Sequence, residues 1–504
     1  MKPEDFPSEI QPYLIPEPKG ALTYHCLGCG EAYGIEKLLY TCPACGQVLM
    51  ITDENFHRLK AIPGDMWHQI FDYRKMLNIP ALKGVYRYHE FLGSMMPLSF
   101  VVYLGEGHTP VIEANTFLKE KVGISFFFKN DGQNPSASFK DRGMASALSY
   151  INFLVQQNHI SDVLAICAST GDTSAAAALY ASYLQPHVKS AVLLPHKKVT
   201  PQQLSQPLGS GAAVFEIPGV FDDCMKVVEA LSENYPVALL NSKNAWRILG
   251  QESYSYEIAQ DFEYDMARKV VVLPIGNAGN ITAVMNGFIK FYETNVITTL
   301  PKIIGVQSQH ANPVYRYYLE PDPAKRQFKP VTVSPSVAQA AMIGNPVSMP
   351  RVIHLVNQYN QLSGRQNVFF VETDEQSIMD WELIANRNGH IACTHGGESL
   401  AGLVTALHGG IINNDETAII DSTAHAIKFS GFQEMYFEKS FPTAFEVEPK
   451  PELINQPIYM HPANLEKVPA PGHPLNEVDM ERFVKRISEE IAKALTLKKI
   501  NEHI

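Results

Sequence analysis

The sequence has 504 residues, 45% hydrophobic and 18% charged; the length predicts more than one domain, and the composition is ordinary for a soluble globular protein. A formal charge of −11 argues against general nucleic-acid binding, which needs a basic surface to displace counterions, and no apolar run approaches the roughly 20 residues of a membrane span. The seven cysteines are odd in number and unevenly spread, which predicts a reduced, cytoplasmic chain without a disulfide framework; the polar start at Met1–Asp5 does not read as a signal peptide.

Residues 1–20 carry five prolines and predict an irregular lead-in. Residues 21–50 hold Cys26-x2-Cys29 and Cys42-x2-Cys45, twelve residues apart. Four thiolates satisfy a tetrahedral zinc, and each two-residue gap lets a tight turn aim both sulfurs at one ion. Gly28, Gly30 and Gly46 suit those turns. The spacing predicts a zinc-ribbon-like module over 1–50 whose metal is structural, since four cysteines leave no open position. Residues 51–100 show mixed helical patterning (Phe56, Trp67, Ile70, Phe71) and few chemical clues.

From about residue 101 the pattern changes to apolar strands, glycine-rich turns and helices. Val163–Cys167 runs into Ser169-Thr170-Gly171-Asp172-Thr173 and then an alanine-rich stretch. Val270–Pro274 runs into Gly276-Asn277-Ala278-Gly279-Asn280 and a helical stretch to Phe291. Ala191–Leu194, Lys302–Val306 and Ala418–Ile420 are further buried-strand candidates. Repeated strand–turn–helix units predict an α/β fold with parallel or mixed sheets. After about 440 come proline-rich connections and then a charged amphipathic helix over about Val478–Leu497.

Four segments carry chemistry. In Asn134-Pro135-Ser136-Ala137-Ser138-Phe139-Lys140-Asp141-Arg142-Gly143, Lys140 follows a turn and opens an apolar helix. A lysine at such a mouth can point into a cleft, where partial desolvation makes its amine nucleophilic enough for a Schiff base; alone, it also reads as a solvated surface charge. The loop Gly276–Asn280 lets backbone N–H groups converge on a phosphate at a helix N-terminus, and it does not match the dinucleotide pattern G-x-G-x-x-G. Ser169–Thr173 offers hydroxyls and N–H groups suited to a carboxylate, or an N-capping cluster. Ser422-Thr423-Ala424-His425 follows a strand, and Thr423 can hydrogen-bond a ring nitrogen.

Taken in order over residues 100–430, these segments resemble the threonine synthase family, fold type II pyridoxal-phosphate enzymes, and especially its plant-like branch. The resemblance rests on Gly105-Glu106-Gly107-His108-Thr109-Pro110, Ser138-Phe139-Lys140-Asp141, Ala168–Ala176, Asn241–Gln251, Ile343–Val347 and Ser422–His425. It implies two α/β domains, a discontinuous cofactor-binding body over 51–156 and 243–439 and a smaller domain over 157–242; the C-terminal extension over 440–504 lies outside the resemblance. It implies Lys140 as the Schiff-base lysine and proton shuttle. Gly276, Asn277, Ala278, Gly279 and Asn280 would hold the cofactor phosphate, Thr423 would face the ring nitrogen, and Asp172 would approach the phenolic oxygen. Ser169, Thr170, Gly171, Thr173 and Ser138 would receive the substrate. Arg247 is the candidate for the substrate phosphate, since a planar guanidinium binds phosphate through two parallel hydrogen bonds; its alternative is an ordinary structural arginine.

The implied reaction converts O-phospho-L-homoserine and water to threonine and phosphate, in a homodimer by analogy. A threonine/serine dehydratase shares the lysine and the glycine loop but needs no second phosphate site. A non-catalytic regulator that uses the ribbon to bind a partner is the other reading; for nucleic acid the ribbon is a poor footprint, with Lys37 as its one lysine and no arginine over 21–50. The pattern around Cys393-Thr394-His395-Gly396-Gly397-Glu398 follows the family only loosely, and the ribbon and the tail after 440 depart from the plant enzymes.

Overall fold

The computed structural model describes residues 1–500 apart from 158, 170, 197–200, 220, 461–464 and 466, and leaves aside the side chains of 201–203, 221 and 222. The chain forms two compact units, Met1–Pro449 and Lys450–Ile504.

The first strands build the cysteine module. β1 (Leu22–Cys26) pairs antiparallel with β2 (Ala32–Gly34) and with β3 (Leu49–Asp53). Burial alternates along β1, with Leu22, Tyr24 and Cys26 turned inward, as the two-residue strand period requires. Gly30 and Gly46 both adopt positive φ, which lets each cysteine pair turn tightly.

The largest sheet has six strands in the order β12-β11-β10-β13-β5-β4. They are β4 (Val111–Glu113), β5 (Ser125–Asn130), β10 (Lys269–Pro274), β11 (Lys302–Ser308), β12 (Val368–Thr373) and β13 (Thr417–Ser422). All neighbours run parallel except β4, which lies antiparallel on the edge beside β5. The second sheet, order β8-β7-β6-β9, is wholly parallel. It contains β6 (Val163–Ala168), β7 (Val188–Pro195), β8 (Ala213–Ile217) and β9 (Val237–Leu239). Val270–Leu273 and Ala418–Ile420 are buried without alternation, the signature of strands covered on both faces. The α/β class read from the strand–turn–helix repeats holds.

Strand order places the chemistry. β10 and β13 are adjacent, with Val271 opposite Ile419, so the turns that leave their carboxyl ends, Gly276–Asn280 and Thr423–His425, come out side by side. β5 lies next to β13 and its carboxyl end leads through Asp131 to Lys140. Open parallel sheets bind ligands at such ends, where connections part to opposite sides.

The second unit contains the helix Glu477–Ala494, capped by the Asn476 side chain, which accepts from the Asp479 N–H at 2.9 Å. None of its residues is buried. No helix among the described residues is long and apolar enough to cross a membrane.

Candidate active site

Lys140 is the first residue of the helix Lys140–Gln156. The segment before it is pinned to the β13 turn: the Phe139 N–H donates to the Thr423 carbonyl at 2.8 Å, and the His425 N–H donates to the Ala137 carbonyl at 3.0 Å. Ala137 holds φ at 64°, a strained value for a residue with a Cβ and one found at functional turns. The Lys140 amine lies 4.0 Å from the centre of the Phe139 ring. Burial, and then the Arg247 guanidinium, lower its pKa to about 7, while Asp172 and Asp421 pull the other way. A large fraction of this amine is therefore neutral at neutral pH, the state a nucleophile or a base needs.

Arg247 reaches this amine because two helices touch. Gly143, on the Lys140 helix, lies against the helix Ala245–Gln251, where an added Cβ would sit 2.8 Å from the Arg247 carbonyl; at Gly250 an added Cβ would come within 2.3 Å of the Arg142 carbonyl. The Asn244 side chain caps the second helix by accepting from the Trp246 and Arg247 N–H groups at 2.9 and 3.3 Å. Arg247 is 3% exposed and donates from Nη1 to the Leu240 carbonyl at 2.9 Å, while its Nε has no partner among the described residues. Burial lowers even this guanidinium, to about 10. Among the described residues no carboxylate ion-pairs with Arg247; such a buried cation is expensive and is suited to receive an anion.

The glycine loop leaves β10 and opens the helix Gly279–Glu293. Ala278 adopts φ 61°, and a Cβ on Gly276 would meet the Ala341 Cα at 3.0 Å; the loop is thus a tight backbone cradle at a helix N-terminus. The Asn277 carbonyl and side chain accept from the Ser348 and Val347 N–H groups at 3.2 and 3.4 Å. Asn280 donates to Asp421 at 2.8 Å, and its Oδ1 is unpartnered. Thr423, 3% exposed, sets its hydroxyl 3.8 Å from the Cys393 thiol.

After β6, Ser169 accepts from the Gly171 N–H at 3.3 Å, and a Cβ on Gly171 would meet nothing within 4 Å, so this loop borders open space. Asp172 opens the helix Asp172–Tyr183 with Thr173 behind it. Thr170 lies outside the described residues. Ser138 is buried and accepts weakly, at 3.4 Å, from the Lys140 N–H. The structure thus gathers Lys140, Arg247, Asp172 and Asp421 within electrostatic reach of one another, with Thr423 and the glycine loop on the neighbouring strand ends.

Several residues here were missed from sequence. The Lys428 amine ion-pairs with Asp172 at 3.1 Å and donates to the Ser136 carbonyl at 2.8 Å and to Gln206 at 2.9 Å. It ties the Ser169–Asp172 side to the Lys140 segment. His395 is held neutral, its pKa lowered to about 4 by burial, and it accepts the Ala340 N–H at 3.1 Å. Only the position of Lys428, three residues after His425, hinted at a role.

The four cysteines form one cluster: their sulfurs all lie within 4.8 Å of one another, with Cys26–Cys45 at 3.4 Å and Cys29–Cys42 at 3.6 Å.

A neutralised lysine, a tight backbone cradle at a helix N-terminus, and an Arg247 Nε without a partner among the described residues fit pyridoxal phosphate plus a second anion. Residues 102–422 match the family model described as pyridoxal-phosphate dependent enzyme. The chain is 32% identical to the threonine synthase of Methanocaldococcus jannaschii over 80% of this chain and 92% of that one. It is 31% identical to the chloroplastic threonine synthase 2 of Arabidopsis thaliana, covering 81% and 77%. The crystal structure of Escherichia coli threonine synthase shares the fold, with a TM-score of 0.61 at 18% identity over 82% of this chain and 90% of that one.

Proposed function

Because the chain belongs to the pyridoxal-phosphate-dependent threonine synthase family, we propose that it converts O-phospho-L-homoserine and water to L-threonine and phosphate, with Lys140 as the residue that carries the cofactor. The bound cofactor supplies an electron sink. All positioning falls to the chain. The Gly276–Asn280 backbone holds the cofactor phosphate at the helix N-terminus. Thr423 offers a neutral hydroxyl to the ring nitrogen and so leaves that nitrogen less cationic than a carboxylate would. Asp172 stands by the phenolic oxygen, and the hydroxyls and N–H groups of Ser169–Thr173, together with Ser138, receive the substrate carboxylate.

Lys140, with its amine poised near pH 7, takes the α-proton and can return it. Arg247 binds the departing phosphate and stabilises its charge. The observation that carries this reading is the pairing of that lowered amine with a buried guanidinium whose Nε has no partner. A dehydratase has no need for a second phosphate site. Incubation with O-phospho-L-homoserine tests it: phosphate and threonine form in equal amounts, whereas a chain that leaves O-phospho-L-homoserine intact and releases ammonia and a 2-oxo acid from threonine or serine refutes it.

The cysteine cluster is assigned to a structural zinc held by Cys26, Cys29, Cys42 and Cys45. Family analogy supports a cytoplasmic homodimer, with the six-stranded and four-stranded sheets as cores of the 51–156/243–439 body and the 157–242 domain.

A further inference from the structure

Arg351 is buried, sits at the start of the helix Met349–Ser363, and takes no direct part in the chemistry above. Its guanidinium meets three separate parts of the chain. Nε and Nη2 donate to the Leu49 carbonyl at 3.1 and 2.6 Å. Nη1 and Nη2 donate to the Ser242 and Lys243 carbonyls at 3.3 and 3.1 Å, and Nη1 also reaches the Ser348 hydroxyl at 3.0 Å. Among the described residues no carboxylate ion-pairs with it; every acceptor is a carbonyl or a hydroxyl.

Each contact leads somewhere specific. Leu49 is the direct ladder partner of Cys26. β3 is an edge strand of the module, and the Val48 carbonyl is turned inward to accept from the Leu27 N–H at 3.3 Å. Successive carbonyls alternate sides, so that of Leu49 faces out to Arg351. Ser242 and Lys243 immediately precede Asn244, the cap of the Arg247 helix. Ser348 donates its N–H to the Asn277 carbonyl in the glycine loop at 3.2 Å.

We propose that Arg351 is a positioning residue through which metal occupancy of the cysteine module sets the geometry of the Gly276–Asn280 phosphate cradle and of the Arg247 helix. A planar, rigid fork of donors can fix three strands of backbone at once. The ribbon packs into the main core through Tyr24, Leu49 and Ile51, and a metal tying Cys26 to Cys45 tightens the end of the β1–β3 ladder on which the Leu49 carbonyl stands. Loss of the metal releases one anchor of the guanidinium, which then competes less well for Ser348 and leaves Asn277 less constrained. This inference rests on the zinc reading of the cysteine cluster.

The test uses the full chain stripped of cofactor and compares pyridoxal phosphate with pyridoxal, which lacks only the phosphate. Zinc released by chelator is measured first, with one ion per chain expected. Stripping the metal, the pair Cys29→Ser with Cys45→Ser, and Arg351→Met are each expected to raise the Kd for pyridoxal phosphate about tenfold, the loss of roughly one charge-assisted hydrogen bond. The Kd for pyridoxal should move less than about twofold, and stripping metal from Arg351→Met should add little, because coupled sites are non-additive. A merely structural arginine would weaken both ligands alike, and that parallel loss overturns the proposal. A chain that takes up no zinc sinks the metal reading and this inference together. A zinc-loaded chain whose pyridoxal phosphate affinity ignores stripping sinks the inference alone. Neither result bears on threonine formation, which is assayed separately.

Discussion

Lys140 and Arg142 stand two residues apart on one helix, and the fold treats them in opposite ways. Arg142 donates to both oxygens of Asp131, at 2.9 and 2.7 Å, and to both oxygens of Glu257, at 2.5 and 2.8 Å. Lys129 shares Glu257 at 2.9 Å. These carboxylates push the Arg142 pKa well above its ordinary value. At Lys140 burial and then Arg247 outweigh Asp172 and Asp421, and the pKa falls to about 7. A buried cation surrounded by carboxylates holds the molecule together. A buried cation whose nearby carboxylates are outweighed by burial and a neighbouring guanidinium is ready to react or to bind.

Four substitutions or conditions sharpen this contrast, beginning with the largest effect. Lys140→Ala should reduce threonine formation by more than about 10³-fold and remove the visible absorbance of bound cofactor; a variant that keeps both would break the assignment. Arg142→Met leaves Asp131 and Glu257 buried without their main counterion. It should lower unfolding stability by about 3–5 kcal/mol, read in a denaturant titration, and a change below about 1 kcal/mol would mean that the cluster is not what holds this helix. Arg247→Met should do the reverse. It relieves an uncompensated buried charge, so stability holds or rises, while KM for the phosphorylated substrate climbs about 10–100-fold. Equal losses in stability and KM would return Arg247 to the structural class.

The smallest effect concerns pH. Burial and Arg247 disfavour the ammonium form of Lys140, so the neutral amine is present above about pH 7 and is lost as pH falls below it. Capture of pyridoxal phosphate by the cofactor-free chain should therefore slow about tenfold for each unit below pH 7. In Arg247→Met the repulsion is gone, so the same fall should begin at higher pH; an unshifted profile would uncouple the two residues.

Much of this was legible in sequence because it is local. Continuous apolar runs such as Val270–Leu273 followed by glycine turns announced parallel strands, and the structure places those turns at the carboxyl ends of adjacent strands. The order of the motifs around Lys140 and Thr423 identified the family. What escaped was long-range pairing. Glu106 and Asp141 stand in the family motifs with no role assigned from sequence, yet both are buried with pKa values raised to about 7 by burial. Asp141 takes its hydrogen bonds from Ser136, but Glu106 receives one from Tyr180, 74 residues away. Arg351 opens an amphipathic helix and reads as an ordinary solvent-facing charge; its role depends on Leu49, 302 residues earlier. Lys428 likewise meets Asp172 and Ser136 only after two sheets have formed. No spacing rule reaches across such separations, because the contact is made by topology.

The account stands on the identity of one amine. Borohydride reduction of the cofactor-loaded chain, followed by peptide mass analysis, should place the pyridoxyl phosphate adduct on Lys140, in the peptide that begins beyond Lys129. An adduct on another lysine, or no adduct on a chain that makes threonine, would contradict it.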